Sequence, residues 1–247
     1  MLPGLYSDCT IWEKVIYKLR SHFKIYAFSL PLYGTYDNKH HQYTFYTLPR
    51  LLEQLLQRFK IKSPILMGHS IGAVVSMIYA VRSHHKVDRL ICVSAPLKKH
   101  VLKVPLSWEI AVQFALTSKR NRDIVDWLNK QDELVDRLRN IVLPHKKTKH
   151  EAKDVLPKLP LKNMAHCYFD LFHFEFDDEI ALVAKSKLPS LFIYGINDIP
   201  LQEFQGTSLY TKVSGAEIVP LATGHYIPLT MPEELSRAVL NFAHDIY

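Results

Sequence analysis

A serine in a very tight turn is the strongest chemical signal in this sequence. An apolar run that starts at residue 64 ends in Gly68-His69-Ser70-Ile71-Gly72, and a helix of small and apolar residues follows directly. Glycine is needed at positions 68 and 72 because any side chain there would collide across the turn. The spacing predicts that the serine backbone is strained and that its hydroxyl projects above the sheet, as a nucleophile requires.

A serine hydroxyl is a poor nucleophile at neutral pH, so it needs a base, and the base needs a group that fixes its tautomer. The best candidates follow two apolar runs that are typical of strands. Asp198 comes just after the run 191–194, and His225 comes just after the run 216–221. The sequence contains 13 histidines, so the position of His225 at the end of a strand, and not its residue type, selects it.

The other ionisable residues are weaker candidates. Asp177 and Asp178 lie in a segment that shows no strand pattern, and the strand that ends at Ala95 is followed by no acid. We expect His69, beside the serine, to be a packing residue, and we assign it no chemistry.

Apolar runs alternate with amphipathic patterns along most of the chain, which predicts an α/β fold with a mostly parallel sheet and helices on both faces. Strands are expected at 24–30, 64–68, 87–95, 191–194 and 216–221. Helices are expected at 7–23, 47–59, 71–83, 201–213 and 232–246.

The alternation of strands and helices is interrupted from residue 97 to residue 185, where no strand pattern is present. Helical patterns near 105–118, 121–142 and 161–173 predict a helical cap inserted between strands. The core is then 1–96 together with 186–247. Residues 166–176 are dense in aromatic side chains, which either pack the cap onto the core or line an apolar pocket suited to an acyl chain.

The positive charge is concentrated in the predicted cap. The chain carries 31 Lys and Arg against 24 Asp and Glu, a net charge of +7. Residues 97–162 hold 15 of these bases and 8 of the acids, which accounts for the whole excess. One explanation is the solubility of a helical lid, and the other is a surface that attracts an acidic carrier protein or anionic lipid.

The composition, 48% apolar and 22% charged, is that of a globular protein. We expect no transmembrane segment, and the start of the chain shows no secretory signal. Cys9, Cys92 and Cys167 are far apart and lack metal-ligand spacing, which favours a reducing compartment and hence the cytoplasm. With no phosphate-binding glycine loop, we expect no cofactor, no metal and no nucleic-acid partner.

Several segments besides the serine turn make the chain resemble the alpha/beta-hydrolase superfamily. Pro3-Gly4 stands where many members have His-Gly, and Trp12 where an aromatic residue commonly packs. Residues 30–35 are similar to a Leu-Pro-Gly-x-Gly-x-Ser loop, with Leu32 and Thr35 as departures. Residues 188–242 follow the C-terminal pattern of the superfamily, including Met-Pro-Glu-Glu at 231–234.

The resemblance implies a Ser-His-Asp hydrolase with a helical cap, in the chain order Ser70, Asp198, His225. The oxyanion formed during acyl transfer needs two backbone N–H donors. One would be Ile71, at the positive end of the helix after the serine. The resemblance places the second donor at Leu5, directly after Pro3-Gly4.

The front of the chain departs from the superfamily pattern. Members usually carry two or three strands before the segment that starts here at Met1, and the third of these lies between the strands expected at 24–30 and 64–68. Without this third strand, the buried N–H and C=O groups of its two neighbours would lack hydrogen bonds, and each unpaired group would cost about 1–3 kcal/mol of stability. We therefore expect that the first strands are missing from an N-terminally truncated sequence; the alternative is a sheet that closes differently.

The first functional hypothesis is a carboxylesterase-like serine hydrolase that cleaves small-molecule carboxylic esters with an apolar acyl part. A thioesterase or a carbon–carbon bond hydrolase would use the same three residues, and the sequence does not separate these activities. A different class is a non-catalytic fragment or binding protein with the same fold.

Overall fold

The computed structural model describes residues 1–4, 7–30, 47–83, 86–97, 176–198 and 215–244. Within these ranges the chain forms one parallel sheet with helices packed against it. The alpha/beta-hydrolase fold expected from the sequence is confirmed.

Four parallel strands make up the sheet, in the order β1, β2, β3, β4. They are β1 (Ile65–His69), β2 (Arg89–Val93), β3 (Ser190–Gly195) and β4 (Glu217–Leu221). The strands β2 and β3 are buried along their whole length, as expected of a parallel strand covered on both faces. The end strand β4 is partly exposed and contains Pro220, a residue that the edge of a sheet tolerates.

Six α-helices are described, and they pack in two groups. They are α1 (Glu13–Leu19), α2 (Thr47–Arg58), α3 (Ile71–Arg82), α4 (Asp177–Ser186), α5 (Ile227–Thr230) and α6 (Pro232–His244). Helices α2 and α4 contact α3, whereas α1 contacts α6. In α2 the buried residues are Leu48, Leu52 and Leu56, whose spacing of four places them on one helix face.

The helix predicted at 7–23 is shorter than expected. A 3-10 turn over Cys9–Trp12 leads into α1, which ends at Leu19. Asp8 caps the turn by accepting a hydrogen bond from the backbone N–H of Thr10 at 2.8 Å.

The strand predicted at 24–30 is wrong, because this segment forms no regular strand in the structure. A strand needs a hydrogen-bonded neighbour along its length. The described backbone partner of this segment is Met1, whose amino group donates to the carbonyl of Tyr26 and whose carbonyl accepts from the N–H of Phe28. Leu2 in turn forms an isolated parallel bridge with Gly68 of β1. Residues 1–2 therefore lie between the two segments, at the place that the superfamily pattern gives to its third strand.

The last part of the predicted cap is helix α4. Ile180 and Val183 on this helix are buried in the hydrophobic core, and α4 packs against α3. The predicted helices near 105–118, 121–142, 161–173 and 201–213 lie outside the described residues, so the division into core and cap stays a prediction. None of the helices in the described ranges is both long and apolar enough to cross a membrane.

Candidate active site

Ser70 occupies the turn between β1 and α3 with an unusual backbone conformation. Its φ is 53° and its ψ is −119°, a region that residues with a side chain rarely adopt. The conformation is held in place because the N–H of Ser70 donates to the carbonyl of Val93, at the end of the neighbouring strand, at 2.8 Å. Ser70 is also 7% exposed. The strained residue therefore lies in a buried turn that is fixed to the sheet by this hydrogen bond.

The two glycines of the turn are both needed for close backbone contacts. A Cβ on Gly68 would lie 2.2 Å from the carbonyl carbon of Gly72, directly across the turn. A Cβ on Gly72 would lie 2.4 Å from the carbonyl oxygen of Pro3 and 2.5 Å from that of Leu2. Gly68 therefore permits the turn itself, and Gly72 permits α3 to pass against residues 2–3.

Asp198 and His225 are brought together at the same edge of the sheet by the loops after β3 and β4. The Nδ1 of His225 lies 2.8 Å from the Oδ2 of Asp198. The two loops also bond through their backbones, since the N–H of Asn197 donates to the carbonyl of Thr223 at 3.0 Å. Gly195 allows this approach, because a Cβ there would lie 2.4 Å from the carbonyl oxygen of Gly224.

The burial of this pair suits an orienting acid and a base. The side chain of Asp198 is fully buried, whereas that of His225 is 20% exposed. Because a carboxylate only accepts hydrogen bonds, the Nδ1 of His225 carries a proton, and this N–H donates a hydrogen bond to Asp198. In the neutral ring the Nε2 then has a free lone pair, which is the atom a general base uses.

No hydrogen bond joins the Ser70 hydroxyl to the His225 ring in the part of the chain described. The two residues are nevertheless linked through His69, which precedes the serine and whose ring centroid lies 4.9 Å from that of His225. Catalytic hydrogen bonds are often long or poorly aligned in unliganded structures and shorten when substrate binds. The structure thus joins Asp198 to His225 directly, and Ser70 to His225 through a neighbour.

His69, expected to pack beside the serine, also contacts the backbone of His225. It is fully buried, and its Nε2 lies 2.8 Å from the backbone carbonyl of His225. Burial, together with the nearby His225, lowers the pKa of His69 to about 3, although the bond to the carbonyl opposes this shift. No sequence signal could have found this contact, because it ends on a backbone carbonyl, a group that every residue carries.

Of the two predicted oxyanion donors, Ile71 lies within the described residues. Ile71 is the first residue of α3 and is fully buried, and the first N–H groups of a helix have no partner within it. Leu5 lies outside the described residues. Gly4, one residue earlier, lies against the turn, because a Cβ there would be 2.9 Å from the Cβ of Ser70 and 2.6 Å from the Nδ1 of His69.

The alternative acids do not share this environment. Asp177 and Asp178 lie exposed in the first turn of α4. In the described ranges, no group of three or more His, Cys, Asp or Glu side chains could hold a metal ion. Cys92 is buried in the core beside α3, where burial raises the pKa of its thiol, and Cys9 is half-buried.

Comparisons with known proteins identify the family to which this fold belongs. The family model described as the alpha/beta hydrolase fold matches residues 1–147. An uncharacterized hydrolase of Bacillus subtilis, YugF, is 26% identical over 245 residues, which cover 97% of this chain and 87% of that protein. A pimeloyl-[acyl-carrier protein] methyl ester esterase of Hamiltonella defensa is 30% identical over 112 residues, 44% of this chain and 41% of that protein.

Solved structures show the same fold. A structure from a study of carboxylesterases of the thaumarchaeon Nitrososphaera gargenis superposes with a TM-score of 0.74 at 20% identity, and covers 98% of this chain and 88% of its own. At this level of identity the likeness concerns the arrangement of the chain.

Proposed function

The chain belongs to the alpha/beta hydrolase fold family, and we propose that it is a serine hydrolase that cleaves carboxylic esters with an apolar acyl part. Ser70 is the nucleophile, His225 the general base and acid, and Asp198 the group that orients His225. The N–H of Ile71 is one oxyanion donor and that of Leu5 is the second.

The reaction follows from these roles. The Oγ of Ser70 attacks the ester carbonyl while its proton passes to the Nε2 of His225, and the carbonyl oxygen becomes an oxyanion held by the two N–H groups. The intermediate collapses, the bond to the alcohol oxygen breaks, and His225 returns the proton to the leaving alcohol. Water then attacks the acyl-serine with His225 again as base, which releases the acid and restores Ser70.

The observation that carries the proposal is the pairing of Asp198 with His225 beside the strained serine. The 2.8 Å contact fixes the tautomer of a partly exposed imidazole, and a partly exposed base can reach a substrate. The backbone strain at Ser70 also supports it, because strained residues concentrate at active sites.

The substrate class is inferred from the sequence of the predicted cap and from one of the relatives. The segment 166–176 would supply an apolar lining from a cap spanning 97–185, and the basic residues of 97–162 would face an acidic carrier protein or anionic lipid. One of the relatives is named as a methyl ester esterase of an acyl-carrier protein substrate. We accordingly propose a cytoplasmic enzyme that acts on esters of apolar acyl chains.

Covalent labelling with a fluorophosphonate probe tests the nucleophile. The folded wild-type chain should take up one label at Ser70, and Ser70→Ala should take up none. Ser186→Ala, at the exposed end of α4, is the matched control and should label as the wild type does. A folded wild-type chain that stays unlabelled would contradict the proposal.

Turnover measurements test the type of bond. We expect hydrolysis of p-nitrophenyl esters from acetate to decanoate, with kcat/KM rising for the longer acyl chains because an apolar pocket gains affinity with each methylene. The matching acyl thioesters, assayed in parallel, would identify a thioesterase if they reacted faster than the oxygen esters.

A further inference from the structure

His69 connects the backbone of the base to the strand that carries the nucleophile. Its ring stands at the end of β1, and its Nε2 lies 2.8 Å from the carbonyl oxygen of His225. Ser70 is the next residue along the chain. His69 is therefore joined to Ser70 through the chain and to the backbone of His225 through its side chain.

The hydrogen bond fixes the tautomer of His69. A carbonyl oxygen only accepts hydrogen bonds, so the Nε2 of His69 must carry the proton, and this N–H donates the hydrogen bond. The Nδ1 is then unprotonated, and among the residues that the structure describes it is buried without a hydrogen-bond partner. Gly4 lies against this atom, since a Cβ at position 4 would be 2.6 Å from it. Within the described part of the chain the ring thus has a single hydrogen bond, and that bond ends on His225.

Two further rings keep the imidazole of His69 in place. Trp12 meets it edge-on, with centroids 6.5 Å apart and an interplanar angle of 85°. Tyr226 lies on another side at 5.7 Å. Because burial lowers the pKa of His69 to about 3, the ring is neutral at ordinary pH and adds no positive charge next to the base.

We propose that His69 is a positioning residue for His225: by donating its Nε2–H to the backbone carbonyl of His225, it sets the distance between the base and Ser70. The inference rests on the proposed function and deepens it. Asp198 holds the ring of His225, and His69 holds its main chain. His69 is fully buried, so it acts on the rate through His225 and not through contact with substrate.

Two substitutions separate the hydrogen bond from the packing. In glutamine the amide nitrogen is as many bonds from the Cα as the Nε2 of histidine, so His69→Gln can still donate to the carbonyl of His225. In asparagine the amide nitrogen corresponds to the Nδ1, which faces Gly4, so His69→Asn cannot reach that carbonyl. Both variants lose the aromatic ring and its contacts with Trp12 and Tyr226 equally.

The experiment measures kcat, KM and fluorophosphonate labelling for the wild type and both variants. For His69→Asn we expect kcat to fall by about 10- to 100-fold, because displacement of a catalytic group by about 1 Å has an effect of that size. KM should change little, and the label should still reach one per chain, only more slowly. His69→Gln should recover most of the wild-type kcat, and His22→Gln, at an exposed histidine, should match the wild type.

The outcomes that overturn the inference are distinct from those that overturn the proposed function. Equal rates for the asparagine and glutamine variants, or a reduced final labelling with an unchanged rate constant, would mean that His69 only packs. If His69→Asn does not fold, His69→Leu serves as the variant without a donor. A folded wild type that does not label at Ser70 would instead overturn the proposed function, and this inference with it.

Discussion

Replacement of Asp198 by asparagine is the sharpest test of how the base is held. The substitution Asp198→Asn keeps the size and planar shape of the side chain and removes its negative charge. Asp198 is fully buried and its Oδ2 lies 2.8 Å from the Nδ1 of His225. The variant therefore changes the electrostatics of the contact with His225 and leaves the packing of the loop after β3 in place.

The expected effect follows from the distance. When His225 takes the proton of Ser70, the imidazolium and the carboxylate form an ion pair at 2.8 Å, which is worth about 6 kcal/mol with an effective dielectric constant of about 20. Since each 1.36 kcal/mol is a factor of ten in rate, loss of the pair should lower kcat by about 10⁴-fold. An asparagine that presents its N–H₂ group would add to the loss by favouring the wrong tautomer of His225.

The assay compares kcat on a p-nitrophenyl ester with the rate constant of fluorophosphonate labelling, and both should fall together. The control is Asp178→Asn, an exposed aspartate in the first turn of α4, which should retain wild-type turnover. If folded Asp198→Asn kept more than about a tenth of the wild-type kcat, the assignment of Asp198 as the orienting acid would be wrong. A large loss in Asp178→Asn would point to the alternative acid.

Two further predictions concern stability. Gly72→Ala should lower the free energy of unfolding by about 1–3 kcal/mol, because the new Cβ would lie 2.4 Å from the carbonyl oxygen of Pro3; Gly224→Ala, whose Cβ meets nothing closer than 3.8 Å, is the control in urea denaturation. The second is a pH dependence from His69, whose pKa of about 3 in the folded chain lies below its ordinary value. Below about pH 6.5 this histidine binds a proton in the unfolded chain but not in the folded chain. The free energy of unfolding should therefore decrease as the pH is lowered, and at pH 5 it should be about 2 kcal/mol smaller than at neutral pH. His69→Gln should remove that part of the slope, and an unchanged slope would contradict the assignment.

The turn that carries Ser70 could be predicted almost to the residue, because its signals are local. The strand expected at 64–68 is β1 at Ile65–His69, and the helix expected to end near 83 is α3 at Ile71–Arg82. Two glycines at fixed spacing, an apolar run before them and small residues after them determine this unit without distant contacts. The positions of Asp198 and His225 at strand ends followed in the same way, from the runs that form β3 and β4.

The segment 24–30 shows where such reasoning fails. Its apolar composition favours a strand, but a strand forms only where a neighbour offers hydrogen bonds along its length. In the structure this segment bonds to Met1 at two positions. The amino-acid composition of a segment indicates how well it would fit into a sheet, but it does not indicate whether a neighbouring strand lies beside it.

Helix α4 was missed for a different reason. The lack of a strand pattern places this segment in the predicted cap, although its sequence also contains helix signals. Asp177, Asp178 and Glu179 lie in the first turn, where acids stabilise a helix, and Ile180 and Val183 have helical spacing. Lys187 ends the helix with a φ of 55°, a left-handed conformation that is uncommon for lysine and gave no sequence signal.

The two restraints on His225 have different physical origins, and this explains why only one was visible in the sequence. Asp198 acts through charge, and a carboxylate at the end of a strand is a pattern that a sequence displays. His69 acts through one buried N–H, and its effect depends on a tautomer, on a carbonyl 156 positions away and on the room that Gly4 leaves beside its Nδ1. A base needs both kinds of restraint, because a fixed ring on a drifting main chain, or the reverse, would still be misplaced relative to Ser70. In the proposed mechanism a buried neutral histidine meets the second need without altering the charge of the site, since its pKa of about 3 keeps it uncharged while His225 takes up and returns the proton of Ser70.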